Sequence, residues 1–440
     1  MSSQNTCGTG RTIVIVTAGS RGDVQPYCLL GRALVRRGER VIFATEKRLE
    51  AFVATHFDEL PLRFLESDLA GCFYDAALQP RLFAPSLFDF AGAVAEWNSR
   101  FDRQKILNSV ETALADGFPL FLGTVFPPTT AFPHAMLRTG PLTDERALNH
   151  WTHTQIYLMT WRMHGPSVNA WRRESLGLPP MTDPHGLMGP ILTNDAITLY
   201  HASSLLVGPR GHYPSDWTVG KVVFAGAVFP DREKLSGPVA IEVGNKYLST
   251  GWWTNPWLVV LKASRTRGCA RDLRWVWQHP MLDPLQLVQL MVQVCHTAKC
   301  RCCPLINDHA DILCVESSVE HAWLFPRVNC IVHHAGAGTT AAALRSGVPQ
   351  VPCPAFADQY NNANELVALG VAISAVPKAD LTAETVADGV RRVLANENYV
   401  RGKAKALAEY VETESQDAVE RLCDAFLATP PTFKKEFDNQ

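Results

Sequence analysis

The chain has 440 residues, 47% of them hydrophobic, and a formal net charge of −2. This length is too great for one ordinary core and suits two globular domains. The near-zero charge argues against a nucleic-acid-binding protein and gives no electrostatic reason to expect an anionic membrane partner. The polar start lacks the apolar segment of a secretory signal, and no apolar run reaches the ~18 residues of a membrane-spanning helix. We therefore expect a cytoplasmic protein and leave peripheral membrane association open.

The first segment predicts a βαβ unit. TIVIV at 12–16 is a β-branched run, followed by the loop TAGSRGDVQ and by a helix with Pro26 in its first turn and Gly38 just past its end. RVIFAT at 40–45 reads as a second apolar strand. A strand, helix and strand this close together are typical of a parallel sheet.

The chain then divides into two parts. Residues 80–200 are rich in Phe, Trp, Met and Pro, and we expect helices near 104–115 and 145–176. The polar stretch 232–246 predicts a linker. Short strands and helices alternate again after it. The sequence therefore predicts two Rossmann-like, doubly wound α/β domains, at 1–235 and 247–440, with a ligand between them at the C-terminal ends of the strands.

The stretch HHAGAGTTAAALRSGVP at 333–349 predicts an anion-binding loop. The strand VNCIV delivers two histidines to its C-terminal end, and the glycines let a ligand approach the backbone. The following helix, ended by Gly347, offers free N–H groups and its positive end, and an imidazole can donate a hydrogen bond to phosphate. We expect diphosphate contacts from His334, Gly336, Gly338, Thr339 and Thr340.

A dinucleotide-binding site is the alternative. Gly336, Gly338 and Ala341 satisfy the G-x-G-x-x-A pattern, and Asp358 follows about 20 residues later. However, three prolines interrupt the intervening stretch, which a central strand would not tolerate. Asp358 also begins a helical pattern beside Gln359, a pair that suits sugar hydroxyls. The residues therefore favour a nucleotide sugar over NAD.

Several segments together resemble one family. They are GSRGDVQPY at 19–27, FPHAM at 132–136, WRRESLGLPP at 171–180, PSDW at 214–217, HAWLFPRVNCIVHHAGAGTTAAALRSGVPQ at 321–350 and FADQYNNA at 356–363. These motifs are similar to those of the GT-B glycosyltransferases related to sterol 3β-glucosyltransferases and antibiotic glycosyltransferases, which carry a family 28 N-terminal domain. The resemblance covers most of the chain.

The resemblance implies a GT-B fold whose two Rossmann-like domains face a cleft. The N-terminal domain would bind the acceptor and the C-terminal domain the nucleotide sugar. The implied reaction is an inverting, metal-independent transfer of a hexose, with glucose expected, from a UDP-sugar to a hydroxyl of a lipid, with a sterol expected. The UDP-sugar is a co-substrate, and no cofactor is implied. The aromatic-rich region 80–200 would supply the apolar acceptor wall.

The resemblance also assigns roles. The acid that activates the acceptor falls on Asp23, in the loop after the first strand. If Pro26 held the first helical position, Gln25 would cap the helix and Asp23 would be unused by the cap. Further roles are implied for His334 on the diphosphate and the leaving UDP, Asp358 and Gln359 on the sugar, Ser20 and Arg21 on the loop near the phosphates, and His321 and Trp323 at the nucleoside end. Trp323 suits an ordinary core position equally well.

One stretch departs from the family pattern. The family has a glycine-rich strand end early in the second domain, whereas residues 251–281 carry five of the 11 tryptophans and no glycine loop. This composition fits neither a clean strand nor a solvated loop, and a retained intron or a frameshift would produce it. A catalytically impaired nucleotide-sugar-binding homologue is therefore the alternative function. The cysteine cluster at 295–303 lacks two separated ligand pairs, so we expect no zinc site.

Overall fold

The computed structural model describes residues 12–68, 71–75, 77–82, 87–114, 118–121, 127–134, 146–186, 189, 198–207, 214–217, 222–230, 258–261, 275–278, 290, 293–294, 312–315, 321–355 and 358–428. The strands are β1 (Thr12–Val16), β2 (Arg40–Glu46), β3 (Leu62–Leu65), β4 (Phe118–Phe121), β5 (Thr198–Tyr200), β6 (Val222–Phe224), β7 (Leu258–Leu261), β8 (Trp275–Gln278), β9 (Ile312–Val315), β10 (Cys330–His333) and β11 (Gln350–Pro352). The α-helices are α1 (Arg21–Arg36), α2 (Glu50–His56), α3 (Gln79–Leu82), α4 (Leu87–Ser99), α5 (Arg103–Leu114), α6 (Arg146–Glu174), α7 (His321–Leu324), α8 (Ala337–Ser346), α9 (Asp358–Ala368), α10 (Ala383–Ala395), α11 (Glu397–Ser415) and α12 (Ala418–Ala428).

The N-terminal sheet is parallel and has the order β3-β2-β1-β4. Its inner strand β1 is buried along nearly its whole length, because TIVIV offers only apolar and β-branched side chains to the two covered faces. The predicted βαβ unit of β1, α1 and β2 is confirmed. Strands β5 and β6 form a separate parallel pair.

The start of α1 differs from the prediction. The helix begins at Arg21, so Pro26 lies inside it, and Ser20 is the N-cap residue. The backbone N–H and the hydroxyl of Ser20 both donate to Asp23 Oδ2 at 2.7 Å. The expectation that Gln25 caps this helix and that Asp23 is unused by the cap is therefore wrong. A Ser-x-x-Asp cap starts the helix one turn earlier, and the proline costs only one backbone hydrogen bond.

The C-terminal sheet has the order β11-β10-β8-β7-β9. β10 pairs in parallel with β8 and β11, whereas β7 runs antiparallel to both of its neighbours. The predicted α/β class with parallel sheets is confirmed, with this one antiparallel strand as a departure. β7 and β8 both lie in the atypical stretch 251–281, which therefore does form strands, contrary to expectation. The cysteine cluster at 295–303 lies outside the described residues.

Several local predictions are confirmed. The helices expected near 104–115 and 145–176 are α5 and α6. α8 ends at Gly347, whose φ of 69° is the left-handed value that a helix C-cap requires and that glycine adopts freely. β11, with Pro352, is an end strand of its sheet, where proline is tolerated. None of the described helices is both long and apolar enough to cross a lipid bilayer.

The last helix returns to the N-terminal half of the chain. Ala418, Leu422 and Cys423 of α12 lie in the same hydrophobic cluster as Ile13 and Leu30 of β1 and α1. At the surface of this contact, Arg37 pairs with Glu420 and, at 2.6 Å, with Asp424. The boundaries 1–235 and 247–440 stay a prediction, but the chain evidently crosses from the second sheet back to the first.

Truncation of Leu422 tests this packing. Leu422 is 3% exposed, whereas Leu427 on the same helix is 36% exposed. Leu422→Ala leaves a cavity in the N-terminal core and should lower the free energy of unfolding by about 2–4 kcal/mol in urea titrations. The matched change Leu427→Ala should cost only about 0.5 kcal/mol. Equal losses for the two variants would contradict the placement of α12.

Candidate active site

Two helix N-termini, one from each half of the molecule, lie against each other. α1 follows the C-terminal end of β1, and α8 follows the C-terminal end of β10. Their first turns are close: a Cβ atom built on Gly338 would lie 3.9 Å from the Cα atom of Gly22. Each helix N-terminus carries a partial positive charge, so the space beside them favours an anion.

The first histidine of the HH pair belongs to the core. His333 is fully buried, its Nε2 lies 2.9 Å from Gln350 Oε1, and its Nδ1 accepts the backbone N–H of Ala335 at 3.1 Å. Burial, helped by the charges of His334 and His321, lowers the pKa of His333 to about 3. The ring is therefore neutral, with its proton on Nε2.

The second histidine turns away from the core because of the residue that follows it. Ala335 has a φ of 62°, in the left-handed region that a non-glycine residue enters only at a cost. His334 is only partly buried, and a Cβ atom on Gly336 would overlap its Nε2. Gly336 is thus required because the His334 imidazole occupies the space above it.

The start of α8 is partly exposed. Gly336 is its N-cap residue, Gly338 is exposed, and Thr339 is buried. The first N–H groups of any helix lack an intrahelical acceptor and are available to a ligand. Thr340 differs: it is fully buried and its N–H donates to Gly336 O at 2.9 Å. Within the described chain its hydroxyl has no hydrogen-bond partner. The diphosphate contact expected from Thr340 stays a prediction.

The side chains of His321, Arg21 and His334 lie close enough to interact electrostatically. His321 stacks on Phe325 with ring centroids 4.5 Å apart. Burial, helped by the charges of Arg21 and His334, lowers the pKa of His321 to about 3. Arg21, from the N-terminal half, is therefore within electrostatic reach of His321, from the C-terminal half. Trp323 lies in the same short helix, and its side chain is outside the described part of the chain. The nucleoside roles of His321 and Trp323 stay predictions.

The carboxylates of Asp23 and Asp358 also interact electrostatically. Asp358 begins α9, as expected, and its pKa is raised to about 6 by burial and by the negative charge of Asp23. Asn362 opposes this shift by donating its Nδ2 to Asp358 Oδ2 at 3.2 Å. Gln359 is buried, and its Oε1 accepts the backbone N–H of Ala355 at 2.9 Å. The side-chain carbonyl of Gln359 thus fixes the position of Ala355, just before the helix.

Asp23 has neighbours that sequence reasoning missed. Its Oδ2 accepts both bonds from Ser20, so the hydroxyl proton that Ser20 would offer a phosphate is directed to Asp23. No hydrogen bond from the described residues reaches Asp23 Oδ1. Tyr27 OH lies 3.2 Å from His201 Nε2, and burial, reinforced by Asp23, raises the pKa of Tyr27. Burial lowers the pKa of His201, and Asp23 opposes that shift. The position of Tyr27 four residues after Asp23 was a signal that one face of α1 carries both.

A buried glutamate braces the loop that carries Asp23. Glu46, at the end of β2, is fully buried and accepts the N–H of Gly19 at 3.2 Å. Arg48 pairs with Glu46 at 2.9 Å and donates to Gly19 O. Gly19 itself has a φ of 116°, and a Cβ atom there would lie 2.8 Å from Asp23 Oδ2. Only glycine fits this turn, and the isolated sequence gave no sign of the role of Glu46.

Among the described residues, no group of three or more His, Cys, Asp or Glu side chains is arranged to hold a metal ion. The described site holds carboxylates, imidazoles and the N-termini of two helices. Such a site can bind a phosphorylated ligand, accept hydrogen bonds from hydroxyl groups and remove a proton.

Comparisons with known proteins agree with this geometry. Residues 13–120 match the glycosyltransferase family 28 N-terminal domain, and residues 304–424 match the erythromycin biosynthesis protein CIII-like C-terminal domain. The chain is 27% identical to a sterol 3-beta-glucosyltransferase of Pichia angusta and to one of Candida albicans, over 93% and 92% of its own length. It covers 33% and 27% of those two proteins, so it spans about a third of the length of the curated relatives that it matches.

Solved structures share the fold. The kitacinnamycin glycotransferase has a TM-score of 0.55 at 18% identity, covering 95% of this chain and 99% of its own. The calicheamicin glycosyltransferase CalG4 has a TM-score of 0.54 at 14% identity, covering 96% and 98%. The chain therefore carries a segment similar to the family 28 N-terminal domain and a segment similar to the CIII-like C-terminal domain, and it has the GT-B fold of these glycosyltransferases.

Proposed function

We propose that this chain transfers a hexose, with glucose expected, from a UDP-sugar to the hydroxyl of a sterol, with inversion and without a metal ion. The observation that carries the proposal is the approach of the two loops that carry Asp23 and Asp358. A Cβ atom built on Gly338 would lie 3.9 Å from the Cα atom of Gly22, next to Asp23, and Asn362 bonds both to Ala335 before α8 and to Asp358. The similarity of the chain to sterol 3-beta-glucosyltransferases supports the choice of acceptor.

The donor diphosphate would lie at the start of α8. The N–H groups near Gly336, Gly338 and Thr339 would donate to its oxygens, and His334 would donate from its imidazole. Negative charge builds up on UDP as its bond to the sugar breaks. Fixed donors and a helix N-terminus stabilise that charge without having to reorganise.

Asp23 would act as the base. Its Oδ1 would accept the proton of the acceptor hydroxyl while the acceptor oxygen attacks the anomeric carbon from the side opposite UDP. One carbon–oxygen bond forms to the acceptor, the bond to UDP breaks with its electron pair, and the proton passes to Asp23. This single displacement inverts the anomeric centre. Proton transfer can follow bond formation, which lets a carboxylate serve as base for an alcohol.

Asp358 would bind the sugar hydroxyls from the opposite wall. Its ionised carboxylate accepts hydrogen bonds, and Gln359 keeps the loop before α9 in place through the N–H of Ala355. A sterol acceptor would require transient peripheral contact with a membrane, which we include in the proposal.

Two other functions make different predictions. A catalytically impaired homologue, suggested by the atypical stretch 251–281, would bind UDP-glucose without turnover. An NAD-dependent enzyme would need the acid to end a central strand, but Asp358 begins a helix after the end strand β11. Thermal midpoints with UDP, UDP-glucose and NAD separate these cases, because a ligand of the folded state raises the midpoint.

The replacement Asp23→Asn tests the proposed base. The amide keeps an oxygen that can accept the Ser20 bonds but cannot take a proton. Sterol glucosylation from UDP-glucose should fall by about 10²–10⁴-fold in kcat, with UDP affinity unchanged. Turnover by Asp23→Asn at the wild-type rate would exclude this base. An unsubstituted protein that binds UDP-glucose but does not turn it over would favour the impaired homologue.

The raised pKa of Asp358 predicts a pH-dependent donor affinity. Sugar hydroxyls donate to the ionised carboxylate, so binding stabilises that form and the affinity for UDP-glucose should fall as the pH drops through about 6. The diphosphate of UDP-glucose does not titrate between pH 5 and 8, so calorimetry with this ligand over that range measures the effect of the protein groups. The variant Asp358→Asn lacks the titrating carboxyl and should not show the decrease. An equal decrease in Asp358→Asn would assign the titration to another group.

The contact between Gly336 and His334 gives a further prediction. Gly336 has an ordinary extended conformation, so alanine is excluded only by the His334 imidazole. Gly336→Ala should displace that ring and weaken UDP binding by about tenfold, or ~1.4 kcal/mol. Gly402→Ala is the control, because a Cβ atom there meets nothing within 4 Å. UDP affinity equal to wild type in Gly336→Ala would show that His334 does not hold the diphosphate.

A further inference from the structure

The carboxamide of Asn362 contacts two parts of the proposed donor site, the loop before α8 and the Asp358 carboxylate. Asn362 lies one turn into α9 and is 4% exposed. Its Nδ2 donates to Ala335 O at 2.9 Å and to Asp358 Oδ2 at 3.2 Å. A carboxamide nitrogen carries two protons, so both bonds form at once.

The first of these bonds holds a strained residue. Ala335 is in the left-handed region, which a non-glycine residue keeps only when its surroundings fix it. Its N–H is held by His333 Nδ1, and its carbonyl by Asn362. The two bonds together fix the peptide groups on either side of Ala335. Loss of the second one frees the loop that turns His334 out of the core.

The second bond sets the state of Asp358. Asn362 donates to a carboxylate that burial and Asp23 both push towards its neutral form. Among the described residues, few other ionisable groups lie on the elements that pack against α9, the helix of Asp358. The neighbouring strand β11 and the turn at 204–206 carry none, and Arg345, at the far end of α8, is paired with Glu412. Tyr360 and Glu365 share its own helix.

We propose that Asn362 is a positioning residue that couples the two parts of the donor site. It keeps Ala335 in the conformation that presents His334 to the diphosphate, and it holds the Asp358 carboxylate ionised and oriented for the sugar. The inference rests on the proposed function for the identity of the ligands, but both hydrogen bonds join residues of the chain itself. A measurement without ligand therefore tests them separately.

Asn362→Leu removes both bonds at nearly constant volume, and Asn361→Leu is the matched control. Asn361 is buried one residue earlier on the same helix, but its Nδ2 donates to Leu206 O at 3.3 Å, away from the donor site. NMR titration of the Asp358 carboxyl in the unliganded protein should show its midpoint raised by roughly 0.5–1 pH unit in Asn362→Leu only. Calorimetry should show UDP affinity reduced about tenfold in that variant only.

A second substitution, Ala335→Gly, separates the effects of the two Asn362 hydrogen bonds. Glycine adopts the left-handed conformation freely, so Ala335→Gly makes the loop less dependent on Asn362. Combined with Ala335→Gly, Asn362→Leu should regain most of its UDP affinity while the Asp358 midpoint stays raised. A merely structural role would give neither the pH shift nor this selective recovery.

Two results would overturn the inference. They are an unchanged Asp358 midpoint in Asn362→Leu and the same shift in Asn361→Leu. Should Asn362→Leu lose its cooperative thermal transition, Asn362→Ser, which removes the same nitrogen and leaves room for water, replaces it in each measurement. If the wild type binds neither UDP nor UDP-glucose, the proposed function fails, whereas the titration of the unliganded protein still tests the coupling.

Discussion

The hydrogen bonds of the buried His333 imidazole fix the geometry on which the proposed donor site depends. A neutral ring has one donor and one acceptor: here Nε2–H donates to Gln350, and Nδ1 accepts the N–H of Ala335. The bond from Ala335 accompanies a reversal of the chain directly after His334. That reversal separates two adjacent histidines, with His333 in the core and His334 partly exposed beside the N-terminus of α8.

In the N-terminal half, a buried polar side chain likewise fixes the loop that follows a strand. Glu46 ends β2 and holds the backbone of Gly19 in the loop after β1, with Arg48 as its counter-charge. In both halves a buried polar side chain at the end of one strand orients a loop that carries reactive groups. Such a residue is expensive to bury unless all its bonds are made, so the loop has one stable conformation. Rigid strands thereby position residues that a free loop would leave variable.

Local signals account for what the sequence predicted correctly. The β-branched run at β1, the glycine that ends α8 and the helical start at Asp358 each depend on a few neighbouring residues. The start of α1 was missed because two local signals competed, and the Ser20 cap prevailed over Pro26. The direction of β7, the burial of Thr340 and the double contact of Asn362 depend on residues far apart in the chain. No pattern in a single sequence specifies those distances.

The return of α12 to the first sheet has a consequence for biosynthesis. A ribosome makes the N-terminal half first, and such domains commonly fold as they emerge. Here part of the apolar cover for β1 and α1 comes from Leu422 and its neighbours, which are made hundreds of residues later. The nascent N-terminal half must therefore keep an uncovered apolar surface until α12 has been translated. This interval is when the protein is most exposed to aggregation and to capture by chaperones.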